Sequence, residues 1–187
     1  LLRLIGKWLH AGVLEEGVRM ERLVDDLLAL AQADEGVLLA HTEEIDLGEI
    51  MAEEAGRVEG LDVEADVAEA RLRGDPQGLR RVVRNLLDNA RRHAASRIVL
   101  RVCLEGEQVV AIVEDDGAGI PESEREQVFA RFARLEEARD RDAGGTGLGL
   151  AVVREIVEAH GGTVVAEEGE AGGARLVVRL PTREDEE

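Results

Sequence analysis

Residues 144–162, GGTGLGLAVVREIVEAHGG, decide how the rest of the chain is read. Gly145, Gly147 and Gly149 alternate with Thr146 and Leu148, and apolar residues then recur at helical spacing (Leu150, Val153, Ile156, Val157). Glycines let a backbone approach a ligand closely and adopt dihedrals that other residues avoid. A helix that starts directly afterwards presents free N–H groups, and the positive end of its dipole, to whatever lies there. The natural guest is a phosphate, although a flexible turn fits the same pattern. No Gly-Lys-Ser/Thr follows, so the stretch is not a P-loop. No parallel βαβ unit surrounds it, so it is not a Rossmann fingerprint either.

Working upstream, residues 133–146 (ARLEEARDRDAGGT) carry almost no apolar side chain and cannot be core, so they read as a mobile loop. Before them, Pro121 opens a short acidic helix expected to reach Phe129. The stretch 113–121, VEDDGAGIP, reads as a strand delivering Asp115 to a sharp turn built on Gly117 and Gly119. A carboxylate held there beside bare backbone could accept a hydrogen bond from an exocyclic amine; an Asp-Gly hairpin turn is the plainer alternative. Strands are expected near 97–105 and 107–114, joined across Gly106. Asp75-Pro76 announces a helix running to about His93, with Asp at the N-cap and Pro in the first turn. On it Asn85 and Asn89 stand four apart, hence on one face, with Arg92 a turn further. Asn is a poor helix-interior residue. The pair fits an amide carbonyl offered to a hard cation, with Arg92 meeting phosphate oxygens, or simply an exposed polar face.

Two short strands are expected near 61–67 and 70–74, and a helix over 47–58. Residues 37–46 read as a linker entering a short strand. From Val13 to Ala33 the apolar residues Val13, Met20, Leu23, Leu27 and Leu30 keep a seven-residue beat beside a wet face, giving a helix whose seam wants a partner helix. Residues 1–11 have helical spacing as well. Downstream, strands are expected at 162–168 and 173–180, and residues 183–187 form an acidic tail. The expected architecture is α+β: a two-layer sandwich of a mixed, mainly antiparallel sheet with about three helices on one face, preceded by a helical hairpin segment. Residues 1–36 are that segment, 37–46 the linker and 47–182 the main domain.

Composition narrows the function classes. A chain of 187 residues that is 44% hydrophobic can bury a proper core, and with Trp8, Phe129 and Phe132 as its only aromatics that core must be aliphatic. A formal net charge of −18 argues against a nucleic-acid-binding surface, which needs an excess of Lys and Arg. Cys103 alone excludes an intrachain disulfide. No apolar run reaches the ~20 residues of a membrane span. The chain opens on Leu1 rather than Met and reads as a piece of something longer.

Taken together, NLLDNARRH, DDGAGIP, VFARFAR and GGTGLGL, in that order, resemble the N, G1, F and G2 boxes of the ATP-binding catalytic domain of two-component sensor histidine kinases, the GHKL or Bergerat-type ATP-binding fold. They span most of residues 75–162, and RMERLVDDLLALAQADEG is similar to the second helix of that family's dimerisation domain. The resemblance implies ATP and Mg²⁺ as ligands, with Asn89 the main Mg²⁺ ligand and Asn85 supporting it or reaching phosphate. Arg92 and His93 would sit near the triphosphate. Asp115 would read the adenine amino group, with Gly117 and Gly119 giving the base room. Phe129 and Phe132 would anchor a lid over 133–146, within which Arg134 is a phosphate candidate. Gly145, Thr146, Gly147, Leu148 and Gly149 would form the turn on which that lid closes. The implied partners are a dimerisation domain bearing the phosphoacceptor histidine, a response regulator and a second copy of the chain. The implied setting is the cytoplasmic side of a membrane-anchored sensor, with the membrane reached only through other segments.

One element of the pattern is missing. None of His10, His41, His93 and His160 lies on a helix face followed by an acid, so the chain carries no phosphoacceptor box and is expected to bind ATP without labelling itself. Gyrase-like, mismatch-repair and chaperone ATPases of the same fold place a general-base Glu on the N-box helix. Here the residue four before Asn89 is Asn85 and the nearby carboxylate, Asp88, is off that face, which disfavours hydrolysis. A nucleotide-binding interaction module without catalysis is the third reading.

Overall fold

The computed structural model describes residues 17, 20–21, 23–33, 39, 41–133 and 146–182. Residues 1–11 with His10, residues 134–145 of the expected lid with Arg134 and Gly145, and the tail 183–187 lie outside them.

In chain order the elements are helix α1 (residues 23–33), strand β1 (Glu43–Asp46), helix α2 (Leu47–Ala55), strands β2 (Asp62–Val67) and β3 (Arg71–Gly74), helix α3 (Pro76–His93), strands β4 (Arg97–Glu105) and β5 (Gln108–Asp115), helix α4 (Gly149–Ala159), and strands β6 (Thr163–Glu168) and β7 (Ala174–Pro181). The main sheet has five strands in the order β2-β4-β5-β7-β6, and β1 pairs with β3 in a separate two-stranded ribbon. All pairings are antiparallel except β2 with β4. A parallel pair needs a long crossover, and here α3 lies in the connection. The mixed α+β sandwich expected from the sequence is the observed architecture.

The alternation of β5 shows why the helices take one face. Val109, Ala111 and Val113 belong to the core that also holds Leu79, Val83 and Leu86 of α3 and Val152, Val153 and Ile156 of α4. The intervening Val110 and Ile112 pack with Val177 in a small cluster of their own on the other side. The next inward position after Val113 is Asp115, paired with Ile98. Period-two alternation therefore delivers that carboxylate to the helical face.

Local signals read from the sequence hold at the helix starts. Asp75 caps α3 by accepting from the N–H groups of Gln77 (3.1 Å) and Gly78 (3.0 Å), and Asp46 caps α2 in the same way. The turn at Gly106 has φ +63°, which a glycine adopts freely. One element differs: the acidic helix expected after Pro121 is two separate 3-10 turns, Glu122–Glu124 and Gln127–Phe129. Neither has a side-chain cap, and Phe129 is the one buried side chain among them. Without an apolar face to pack, a longer helix has nothing to stabilise it.

In α1, Ala29 and Leu30 join the same core as the sheet domain, while Leu23, Val24, Leu27 and Leu28 are exposed, as is Met20 ahead of it. Among the described residues no helix is long and apolar enough to cross a membrane.

Candidate functional site

A cleft of about 1490 Å³ opens between α3, the turn after β5 and the start of α4. Its wall on α3 includes Asn85, Asn89, Arg92 and His93. The opposite wall is Asp115, Gly117 and Gly119, and the third side is Thr146, Gly147 and Gly149. Three motifs spread over 65 residues thus meet in one space. Two of the expected residues stand elsewhere. Leu148 is wholly buried in the core, so only its backbone faces the turn. Phe132 is 66% exposed and is not part of the wall.

Asp115 is buried at 4% exposure. Its Oδ1 accepts from the N–H of Gly117 (2.9 Å) and of Ala174 (3.4 Å). Both bonds end on one oxygen, which leaves Oδ2 for a donor inside the cleft. Burial pushes the Asp115 carboxyl above its ordinary value, against the pull of those two N–H donors and of His93. His93 is driven the other way: burial lowers its pKa first and the Arg92 charge adds to that.

Close packing makes the glycines of this wall necessary. A Cβ on Gly117 would collide with the carbonyl oxygen of His93. Gly119, at φ +75°, would place one 2.7 Å from the carbonyl of Gly172. A Cβ on Gly173 would collide with the carbonyl of Asp115. The hairpin between β6 and β7 therefore forms the floor beneath the turn, and Ala174 completes the wall. Sequence reasoning missed that floor. The double glycine 172–173 ahead of a strand was its one local signal, and nothing local said that β7 lies beside β5.

On the phosphate side, Asn85 Nδ2 donates to the carbonyl of Gly149 at 3.1 Å. This ties α3 to the first turn of α4 and leaves the amide oxygen as the group that Asn85 can offer. The α4 N-cap, Leu148, has no side-chain cap bond. The Leu148 N–H donates to Thr146 Oγ1 at 3.3 Å, but among the described residues no side chain accepts from the N–H groups of the first turn that follows, the state in which a helix end suits an anion. Gly147, at φ +72°, accepts at its carbonyl from the N–H of Phe132 (2.9 Å), and Phe132 itself has φ +64°. The two ends of segment 133–146 are clamped together by this contact. Phe129 is buried beneath, with the Arg154 guanidinium 4.8 Å from its ring centre.

Charge is sorted against the overall balance. In a chain of net charge −18, α3 carries five arginines and one acid. Arg80 and Arg84 are held by the buried Glu54, at 3.0 Å each, and Arg57 joins them at 2.5 Å. Burial works to raise the Glu54 pKa, but the bonds from Arg84 and Arg80 outweigh it and hold the carboxyl below its ordinary value. Among the described residues no three His, Cys, Asp or Glu cluster as a metal cage. A cation here would lean on amide oxygen and on oxygens that a ligand brings; Mg²⁺ takes oxygen ligands and is commonly held in part by a substrate's phosphates.

The family described as "Histidine kinase-, DNA gyrase B-, and HSP90-like ATPase" matches residues 74–184. The chain is 34% identical over 175 residues to the sensor histidine kinase CpxA of Escherichia coli (strain K12), covering 89% of this chain and 38% of that protein. The chain therefore spans about two fifths of the curated relative that it matches. Among solved structures it is similar to the mycobacterial sensor histidine kinase MprB, with a TM-score of 0.67 and 30% identity over 76% of this chain and 99% of that one. The ATP binding domain of PrrB from Mycobacterium tuberculosis gives a TM-score of 0.64 and 32% identity over 76% and 98%.

Proposed function

Because the chain belongs to the histidine kinase-, DNA gyrase B- and HSP90-like ATPase family, we propose that it is the ATP-binding catalytic part of a two-component sensor histidine kinase. The observation that carries this reading is the cleft itself, in which a buried acid with one oxygen to spare faces two helical amides and an uncapped helix start.

Asp115 Oδ2 accepts from the amino group of adenine, while the bare backbone at Gly117 and Gly119 leaves room for the ring. The triphosphate runs toward α3 and α4, where Arg92 and the first-turn N–H groups of α4 meet its oxygens. Asn89, with Asn85 beside it, would hold Mg²⁺ through amide oxygen, and the ion would neutralise phosphate charge as transfer proceeds. Phosphoryl transfer is mostly positioning and charge neutralisation, so the nucleotide domain needs no nucleophile of its own. The acceptor is a histidine on a dimerisation domain: an imidazole nitrogen bonds to the γ-phosphorus, the bond to the bridging oxygen breaks and ADP leaves with that electron pair. A response-regulator aspartate then takes the phosphoryl group. The lid over 133–146, hinged at the Phe132–Gly147 clamp, would exclude water.

The exposed stripe Met20, Leu23, Val24, Leu27 and Leu28 on the helical segment supports pairing with a second copy, as the seven-residue beat suggests. A sensor anchored in the membrane by other segments, with this part on the cytoplasmic side, fits the same reading. The test is to incubate the chain with labelled ATP, Mg²⁺ and a separately supplied dimerisation segment bearing a His box. Acid-labile phosphohistidine on that segment is the expected result. Free phosphate without such label would overturn the kinase reading in favour of hydrolysis.

A further inference from the structure

The acid after Asp115 has no part in the chemistry above, yet its carboxylate is the most heavily bonded at the cleft. Asp116 Oδ1 accepts from the N–H groups of Ala95 (2.9 Å), Ser96 (2.9 Å) and Arg97 (3.0 Å). Its Oδ2 accepts from Ser96 Oγ at 2.6 Å. The N–H of Asp116 returns a bond to the carbonyl of Arg97 at 3.3 Å. All four donors come from one short segment, which joins the end of α3 at His93 to the start of β4.

That segment links the two halves of the site. The helix before it carries Asn85, Asn89 and Arg92, the groups placed at metal and phosphate. The turn after Asp116 carries the bare backbone that, with Asp115, receives the base. The fit between them has no slack, since the carbonyl of His93 already occupies the space a side chain at position 117 would need. We infer that Asp116 is a positioning residue: by clasping the 94–97 segment it fixes the spacing between the base-reading wall and the phosphate-holding helix, and so sets nucleotide affinity without touching the nucleotide. The same donors, first among them the Arg97 N–H and the Ser96 hydroxyl and N–H, hold the Asp116 carboxyl far below its ordinary value, so the clasp stays ionised near neutral pH. This inference rests on the nucleotide-cleft reading.

The test compares wild type, Asp116→Ala, Asp116→Asn and Ser96→Ala for binding of Mg-ATP and of adenosine by calorimetry or NMR titration, with thermal melts alongside. Adenosine needs only the base wall, whereas ATP needs both walls at the right spacing. Asp116→Ala is expected to weaken ATP about tenfold and to leave adenosine within about twofold. Asn keeps an oxygen for the three N–H donors, and the serine hydroxyl can turn round to accept, so Asp116→Asn is expected to stay within about threefold of wild type. Ser96→Ala removes one donor of four and is expected to weaken ATP about threefold, which keeps the inference testable if Asp116→Ala does not fold. Unchanged ATP affinity in folded Asp116→Ala, or in Ser96→Ala should Asp116→Ala not fold, overturns the inference. So does an equal loss of ATP and adenosine together with a lowered melting temperature, which marks a merely structural role. An Asn variant as weak as the Ala variant also overturns it, because Asn keeps an acceptor for the three N–H donors and the clasp itself would then not be what sets affinity. A wild-type chain that binds no ATP sinks the cleft reading and this inference with it, whereas equal binding by wild type and variant sinks this inference alone.

Discussion

Replacing Asp115 by Asn changes one atom's hydrogen-bonding sense in the base wall and should recode which purine the cleft accepts. Asp115 Oδ1 already takes the N–H groups of Gly117 and Ala174. An Asn side chain can keep its oxygen on those two donors, which turns its NH₂ toward the space that Oδ2 faces. The adenine amino group then meets a donor instead of an acceptor. A hydrogen bond to a charged acceptor is worth about 1.5–3 kcal/mol, so ATP should weaken by about 10- to 150-fold. Inosine triphosphate, which carries a carbonyl in place of that amino group, should gain on the variant relative to wild type. Stability should not suffer. The Asp115 carboxyl is raised above its ordinary value by burial, so its ionised form opposes folding at neutral pH, and that cost fades as pH falls below the raised value. Asn removes the charge and the cost together. The assay is competition of ATP and inosine triphosphate against a fluorescent nucleotide, paired with thermal melts. Undiminished ATP affinity in a variant that melts like wild type would refute the reasoning, as would an equal loss of both nucleotides.

Other outcomes follow from the same geometry. Asn89→Ala should bring the ATP affinity measured with Mg²⁺ down to the value measured with EDTA, while leaving the EDTA value itself unchanged; a variant that still gains from Mg²⁺ would clear Asn89 of the metal. Wild-type ATP affinity should begin to fall on acidification at a pH above the ordinary carboxylate value of 3.8, as the Asp115 carboxyl takes its proton, and Asp115→Asn should lose that dependence. His160 is 9% exposed, accepts from the Asp75 N–H (3.0 Å) at Nε2 and makes a 2.7 Å bond from Nδ1 to the Ile156 carbonyl. His160→Ala should therefore cost about 2–4 kcal/mol, seen in chemical denaturation, through a cavity and an orphaned N–H. Leu148→Ala, at a fully buried position, should cost about 2–5 kcal/mol by the same assay.

Local chemistry in the sequence determined a good deal of this protein. Asp75-Pro76 starts α3 because a carboxylate can bond N–H groups two and three residues on, whatever the chain does elsewhere. Gly106 turns a hairpin because it tolerates φ +63°. Asn85, Asn89 and Arg92 share a face because a helix repeats every 3.6 residues. The spacing of four motifs was enough to place the chain in its family and to name residues on three sides of the cleft. Tertiary structure decided what depends on strand order and on contacts between distant segments. Two short strands close together in sequence, β2 and β3, go to different sheets, and no alternation pattern encodes a partner. Setting β7 beside β5 brings Ala174 onto Asp115 and Gly173 beneath it, so the acid's free oxygen is defined by a segment about sixty residues away. The clasp at Asp116 is of the same kind: the residue reads as half of an Asp-Asp pair, and its four donors exist only once β4 lies against β5. Side-chain type and local period are properties of neighbours along the chain, whereas a buried carboxylate's partners are set by packing, which the whole core must settle at once.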